Sequence, residues 1–357
     1  MARRALLVGI NDYRSMQDLR GCHNDVSNVR SILKEYLGFT NNDIRVLIDN
    51  RATKDAILYR LEYMVDKAVP GDFMVFHFSG HGSQIRDRNG DELEDALDEV
   101  LCPWDISWDS GFILDDELDI IFKQIPQGAV LEVILDCCHS GTATRSADIW
   151  NTDVCKPATD RISRYLPPPA DIRFRYEGEE SELGETRGFQ TVNRFGTRST
   201  INQILWAGCH SGQESADANI SGSYNGAFTY YFCKHMRDSS GRISRRNLLE
   251  RIRNSLSYNG YPQTPQLECM NDAACNGYPL QFVSTAKSAA RNLYLSTPYL
   301  RGTDVKTLQE ALRRAGYSVS TDGVFGPHTH DAVVRWQQAN KMAADGVVGA
   351  AMREKML

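Results

Sequence analysis

A histidine and a cysteine stand at the ends of two short apolar runs in this chain. Together they are the minimum apparatus for a thiol nucleophile with its base. The first run, Phe73-Met74-Val75-Phe76-His77-Phe78, closes on Ser79-Gly80-His81-Gly82. The second, Val130-Leu131-Glu132-Val133-Ile134-Leu135, closes on Asp136-Cys137-Cys138-His139-Ser140-Gly141. Cysteine attacks as the thiolate, and a free thiol titrates near ~8.5, so an imidazole or a helix N-terminus has to assist. The turn after the cysteines and the glycine after His81 offer backbone N–H groups to a developing oxyanion. Gly82 and Cys138 are the candidate donors.

Bringing His81 and Cys138 together requires a particular scaffold. Short β-branched and aromatic runs read as buried strands of a parallel sheet. Such sheets carry their chemistry beyond the carboxyl ends of the strands. Adjacent strand residues point to opposite faces, so Cys137 and Cys138 cannot both face His81. Leu6-Leu7-Val8-Gly9-Ile10 and Arg45-Val46-Leu47-Ile48 read as further strands. Between them a helix is expected, with Val26, Val29, Ile32, Leu33 and Leu37 on one face, Asn24 or Asp25 as cap and Gly38 as stop. Thr53 is expected to cap a second helix that buries Ile57, Leu61, Met64, Val65 and Ala68. The alternation implies an α/β fold, a mostly parallel sheet with helices on both faces. Residues 142–200 lose periodicity, contain Pro167-Pro168-Pro169 and read as an irregular loop. Order is expected to return with a strand at Ile201-Asn202-Gln203-Ile204-Leu205-Trp206-Ala207 and helices over 227–236 and 245–256. Residues 284–301 read as a Ser, Thr and Ala linker, followed by a small all-α module over 302–357.

The chain has 357 residues, nine cysteines and a formal net charge of −6. Its length fits two or three domains. Mild acidity without a basic run excludes nucleic acid as an expected partner. An odd cysteine count without regular spacing argues against a disulfide framework, and no repeated CxxC suggests zinc. The apolar stretch at the N-terminus is too short for a signal peptide, since Asn11-Asp12 follows it directly. No segment approaches a membrane span. A soluble, cytoplasmic protein is expected.

The two segments, taken with several others, resemble the metacaspases, the caspase-like cysteine peptidases, and in particular their bacterial members. Gly21-Cys22-His23-Asn24-Asp25-Val26 resembles an early segment of that family. Asp98-Glu99-Val100 with Asp115-Asp116-Glu117 resembles its acidic stretch. The run from Gly208 to Asp217 resembles the opening of its small-subunit region, and Gln263-Thr264-Pro265-Gln266-Leu267 its end. The resemblance covers residues 1–283, divided into a large-subunit-like part over 1–141, the loop over 142–200 and a small-subunit-like part over 201–283. It implies a caspase-like sheet, His81 as catalytic histidine and Cys138 as nucleophile, with Cys137 as a buried core thiol. It also implies that Asp25, Ser79 and Asp136 line the pocket for the residue before the scissile bond. Two anions in a partly buried pocket need a cation, and a guanidinium satisfies them best, with lysine next. Protein or peptide substrates with arginine or lysine are therefore expected. Against this stands the plain role of Asp25 as a helix cap.

The resemblance further implies calcium ligands at Asp98, Asp115 and Asp116, since hard oxygen donors suit that ion. The chain departs from the pattern where a further aspartate is expected. It has Thr142-Ala143-Thr144-Arg145 there, with Asp148 somewhat later. No cofactor is required by this reading, and calcium stays an open expectation. Arg145, Arg161, Arg164, Arg187, Arg194 and Arg198 in the loop offer sites for self-processing. Cys22, Cys209 and His77 read as scaffold or core.

The C-terminal segment resembles the peptidoglycan-binding module. It carries Leu308-Gln309, Leu312, Gly316-Tyr317, Asp322-Gly323-Val324-Phe325-Gly326, Thr329, Ala332-Val333, Gln337 and Asp345-Gly346-Val347-Val348-Gly349. These are mostly core and turn residues, which identify a fold better than a ligand. Peptidoglycan or a protein partner is expected to bind residues 302–357. The alternative for the whole chain is a catalytically silent scaffold that acts through this module.

Overall fold

A computed structural model describes residues 2–86, 97–109, 111–138, 161–174, 203–210, 213–280, 292–297 and 299–356. The elements of the first part are β1 (Arg3–Gly9), α1 (Cys22–Leu37), β2 (Ile44–Ile48), α2 (Lys54–Asp66), β3 (Phe73–Ser79), β4 (Gly82–Arg86), β5 (Leu97–Leu101), β6 (Ile113–Leu114), α3 (Asp115–Phe122) and β7 (Val130–Asp136). They are followed by β8 (Arg161–Ser163), a short helix α4 (Ala170–Phe174), β9 (Gln203–Ala207), β10 (Ala216–Ile220), β11 (Ser223–Gly226), α5 (Ala227–Asp238), α6 (Arg245–Tyr258), β12 (Gln266–Cys269) and α7 (Asp272–Asn276). One sheet runs β12-β9-β7-β3-β1-β2, parallel throughout except for the antiparallel edge strand β12. Two three-stranded sheets, β4-β5-β6 and β8-β10-β11, stand beside it.

The period-2 alternation of the strands sorts the core into two layers. Met74, Phe76, Phe78, Leu131, Val133 and Leu135 face α2 and α3. Phe73, Val75, Val130 and Ile134 face α1, α5 and α6. The expected α/β architecture, a mostly parallel sheet with helices on both faces, is the one observed. Gly38 ends α1 in a left-handed conformation at φ 68°, and the Thr53 side chain accepts from the Ala56 N–H at 3.2 Å, both as expected.

Three expectations need correction. Neither Asn24 nor Asp25 caps α1. The helix begins at Cys22 after Gly21, without a side-chain cap, and both side chains are turned to other partners. Part of the stretch read as an irregular loop is regular, because Arg161–Ser163 pairs with β10. A local bond to a neighbouring strand does not need the apolar period on which the reading relied. Finally, Cys269 and Cys275 form a disulfide across six residues. That is a local clip rather than a framework, and spacing this short carries no pattern. Arg145, Asp148, Arg187, Arg194 and Arg198 lie outside the described residues.

Towards the C-terminus follow α8 (Thr303–Arg314), α9 (Pro327–Ala339) and α10 (Ala350–Met356). They enclose their own core of Val305, Leu308, Leu312, Phe325, Val333, Trp336, Val348 and Met352. Two aspartate-glycine turns are built alike. Gln309 donates to Asp322 Oδ1 and the Val324 carbonyl, and accepts from the Gly323 N–H. Gln337 repeats the device with Asp345, Val347 and Gly346. Each buried glutamine satisfies a turn that would otherwise leave polar groups unpaired. Among the described residues no helix is long and apolar enough to cross a membrane.

Candidate active site

Strand register sets the site. Gly9, Ser79 and Asp136 are register partners at the carboxyl ends of β1, β3 and β7, and Ala207 lies opposite Leu135. His81 and Cys138 each follow two residues beyond such an end. Asp136 lies on the face of Val130, Glu132 and Ile134, and Cys137 belongs to the opposite layer, where it is buried in the core. Cys138, one step further, is fully buried, accepts from the Ser215 N–H at 2.6 Å and lies 3.3 Å from the Ser215 carbonyl. Burial pushes its thiol well above the usual range, with neighbouring Cys209 adding to the shift. In this state the nucleophile candidate is a resting thiol.

The His81 ring is oriented by two groups that no side-chain motif announces. Nε2 lies 2.7 Å from the Gln17 carbonyl. A carbonyl only accepts, so Nε2 carries the proton and neutral His81 presents a bare lone pair at Nδ1. Nδ1 has no hydrogen-bond partner and is thus available as a base. Tyr13 braces the residue from behind. Its hydroxyl accepts from the His81 N–H at 2.8 Å, and its ring lies 5.0 Å from the imidazole. Burial lowers the His81 pKa, against the pull of the Gln17 and Arg164 carbonyls, and this favours the neutral ring.

Asp25, Ser79 and Asp136 come together as expected, around a side chain that was not singled out for this place. The Arg164 guanidinium is fully buried among them. Nη2 donates to Asp25 Oδ2 at 2.7 Å, and Nη1 to Ser79 Oγ at 3.0 Å and to the Asp136 carbonyl at 2.8 Å. Asp136 Oδ1 is 3.2 Å from Nη1 and Asp217 Oδ1 is 3.7 Å from Nη2. Ser79 Oγ in turn donates to Asp25 at 2.7 Å. Asp136 also accepts from Ser215 Oγ at 2.7 Å and from the Thr229 N–H at 2.9 Å. That last bond sets Asp136 on the N-terminus of α5, where the helix dipole favours an anion. Gly226 closes the pocket, and any side chain there would collide with Asp136 and with the guanidinium.

Three carboxylates face one cation. Burial works against the Arg164 charge, but Asp136, Asp25 and Asp217 outweigh it and hold the guanidinium firmly cationic. The surplus of negative charge falls on Asp25. Its burial raises the carboxyl to about 7, with Arg164 opposing and Asp136 adding.

The backbone of the Arg164 segment is equally well held. The Arg164 N–H donates to the Ser215 carbonyl at 3.1 Å, and the Arg164 carbonyl accepts from the Gly82 N–H at 2.9 Å. Gly82 passes so close to the Cys138 carbonyl that a Cβ would clash with it. Gln263 fixes this wall by donating to the Gly208 carbonyl and Ser215 Oγ and accepting from the Ala216 N–H.

Several side chains stand apart from this arrangement. His77 is buried, its pKa is pushed down by desolvation to about 3, and neither ring nitrogen has a partner. Cys22 is buried, with its thiol pushed up to about 12 by desolvation. Cys209 is buried beside the Cys137 carbonyl. Asp98, Asp115 and Asp116 share one acidic neighbourhood. Burial, then Glu99, Asp116 and Asp98, raise the Asp115 carboxyl to about 9. Yet among the described residues no three side chains of metal-binding type converge on one point. Among the described residues the carboxylates that share charge therefore do not share a centre.

Asp217, Ser215, Gln17 and Tyr13 are the members of the site that the sequence leaves unassigned, and Arg164 stands there only as one of six arginines offered for self-processing. Asp217 and Ser215 lie in the segment from Gly208 to Asp217 that carried the resemblance, which was the available signal. Gln17 acts through its carbonyl and leaves no signal of type.

Residues 3–146 match the metacaspase peptidase C14 domain, and residues 301–356 match a putative peptidoglycan binding domain. The chain is 34% identical over 293 residues to Metacaspase-1 of Botryotinia fuckeliana, covering 77% of this chain and 69% of that one. It is 34% identical over 291 residues to Metacaspase-1A of Aspergillus niger, covering 75% and 70%. It therefore spans about two thirds of the length of these curated relatives. The crystal structure of protein GSU0716 from Geobacter sulfurreducens is similar in fold, with a TM-score of 0.57 and 22% identity over 80% of this chain and 100% of that one.

Proposed function

Because this chain belongs to the metacaspase family and is a cysteine-type peptidase by that membership, we propose that it cuts peptide bonds after arginine or lysine with Cys138 and His81, and that one of those bonds is its own. The observation that carries this is the pose of Arg164. Its side chain fills an anionic pocket while its carbonyl sits on the Gly82 N–H, beside the nucleophile candidate. A residue held by its side chain, its N–H and its carbonyl at once is bound as a substrate is bound.

The chemistry follows from the groups on hand. His81 Nδ1 takes the Cys138 proton, and the thiolate sulfur bonds to the carbonyl carbon of the bound arginine. The carbonyl electron pair moves onto oxygen, where the Gly82 N–H meets it, and the Cys138 N–H is the second donor we assign. The intermediate collapses as the C–N bond breaks, and His81 returns its proton to the leaving amine. Water then hydrolyses the thioester and frees the thiol. The buried Cys138 has a raised pKa, so proton transfer to His81 must accompany attack rather than precede it. Arginine is favoured over lysine because two guanidinium nitrogens reach Asp25, Ser79 and Asp136 at once, whereas an ammonium is a point donor. In the chain itself the scissile bond is Arg164–Tyr165.

Mass spectrometry of the incubated full chain tests this. One fragment ends at Arg164 and the next starts at Tyr165, while Cys138→Ala stays whole and cleaves no arginine peptide. Cutting by the Cys138→Ala chain would overturn the proposal. For residues 302–357 we propose peptidoglycan binding, supported by the domain match. Co-sedimentation of the full chain with purified sacculi checks it, and a chain that stays in the supernatant overturns it.

A further inference from the structure

Arg164 directly follows β8, and the residues before it are seated as well. β8 runs antiparallel to β10, with Ser163 opposite Ala216, Ile162 opposite Asp217 and Arg161 opposite Ala218. Beyond Arg164, Tyr165 bridges to Gly82, the Leu166 N–H donates to the Gly82 carbonyl at 2.9 Å, and Ser83 Oγ donates to the Leu166 carbonyl at 2.6 Å. The segment 161–166 is thus held along its backbone on both sides of the Arg164–Tyr165 bond. Whatever its side chains touch marks the subsites of the groove.

Arg161, three residues before Arg164, has a site of its own. Its Nη1 donates to the Gly260 carbonyl at 2.8 Å and its Nη2 to the Asn259 carbonyl at 3.2 Å. Its guanidinium carbon lies 4.1 Å from the centre of the Tyr261 ring. Both carbonyls stand just past the last turn of α6, where the helix dipole presents negative charge. A π-face and two helix-end carbonyls make a recognition site for a planar cation. The Tyr261 body is buried, and its ring is held against Tyr231 at 6.3 Å, so the face is there before a ligand arrives. A cavity of about 310 Å³ beside the strand, lined by Glu214, Ser215, Ala216 and Pro262, leaves room around this position.

We propose that the peptidase reads a second basic residue, an arginine three positions before the one it cuts after, through Tyr261 and the carbonyls of Asn259 and Gly260. This rests on the reading of Arg164 as the residue before the scissile bond. It adds a specificity determinant in which the pattern Arg-x-x-Arg is favoured over a lone arginine.

The test compares tetrapeptide amides Arg-Ala-Ala-Arg, Ala-Ala-Ala-Arg and citrulline-Ala-Ala-Arg with the self-cleaved full chain. Arginine at the first position raises kcat/KM about tenfold over alanine, mostly through KM, as one partly exposed cation–π contact with two hydrogen bonds allows. Citrulline, of the same shape without the charge, falls back to the alanine value. Tyr261→Leu brings the arginine-to-alanine ratio towards one. Equal kcat/KM for the three peptides overturns the inference and leaves cleavage after arginine standing. Failure to cut any of them overturns both.

Discussion

Among the described residues two arginines are completely buried, and they are buried in opposite ways. Arg245, at the start of α6, meets Glu132 in the middle of β7 with Nε at 3.0 Å and Nη2 at 2.7 Å. The other valences of the pair are filled by Trp206 Nε1, the Leu280 N–H and the Ala274 carbonyl. One cation faces one anion, and both sit on elements of the main sheet and its helices. Arg164 faces three carboxylates, and its Nε has no partner. It directly follows a three-residue strand at the groove. A matched and saturated pair is a strut. A pocket with surplus negative charge is a receptor, which binds a cation and can exchange it.

The contrast is broken or sharpened by four measurements. The largest effect is expected for Glu132→Ala, which strands Arg245 without its charge partner. Losing one side of a buried pair costs about 3–5 kcal/mol. The melting temperature then falls by about 10 °C, and a shift under 2 °C would show that the strut carries nothing. Next, Asp25→Asn lowers kcat/KM for arginine peptides about hundredfold, in the range for weakening a buried hydrogen-bonded charge pair. Its melting temperature changes less than that of Glu132→Ala. If the order of those two stabilities reverses, the division between strut and receptor fails.

Arg164→Ala gives a smaller effect of opposite sign. It removes a tethered occupant whose effective concentration is on the order of millimolar. Initial peptide cleavage by the freshly prepared chain rises about tenfold over the uncut wild type, and the fragment beginning at Tyr165 no longer appears. Slower peptide cleavage would mean that Arg164 supports the pocket rather than filling it. The smallest effect is on pH dependence. Burial raises the Asp25 carboxyl to about 7, and its ionised form is the one that binds a cation. That value holds with a guanidinium in place and the empty pocket holds the carboxyl higher still, so affinity for arginine is already falling as pH approaches 7 from above. A drop from pH 7 to 6 then raises KM by a factor below about ten, the limit for one proton. Asp25→Asn flattens this limb, and an unchanged limb assigns the titration elsewhere.

Much of this was legible before any coordinates. Apolar runs ending in Ser79-Gly80-His81 and Asp136-Cys137-Cys138 placed two strand ends at one edge, and alternation separated the two thiols. Asp25 was legible as a pocket residue only by resemblance, since a carboxylate in the first turn of a helix is as well explained by capping. The Gln17 carbonyl was not legible, because every residue has one. Arg164 was one arginine among six in a stretch without period. Nothing local distinguishes the one that enters the pocket.

The sequence by itself determined the elements and the edge at which they end, because strand alternation and helical period are local properties written in neighbouring residues. Only the tertiary structure decided which charges meet. Asp25, Asp136 and Asp217 are separated by more than a hundred residues in part and by strand crossings throughout. Their mutual repulsion in a desolvated pocket is what makes the guanidinium of Arg164 the answering group. That balance is a property of distance in space, which no spacing along the chain records.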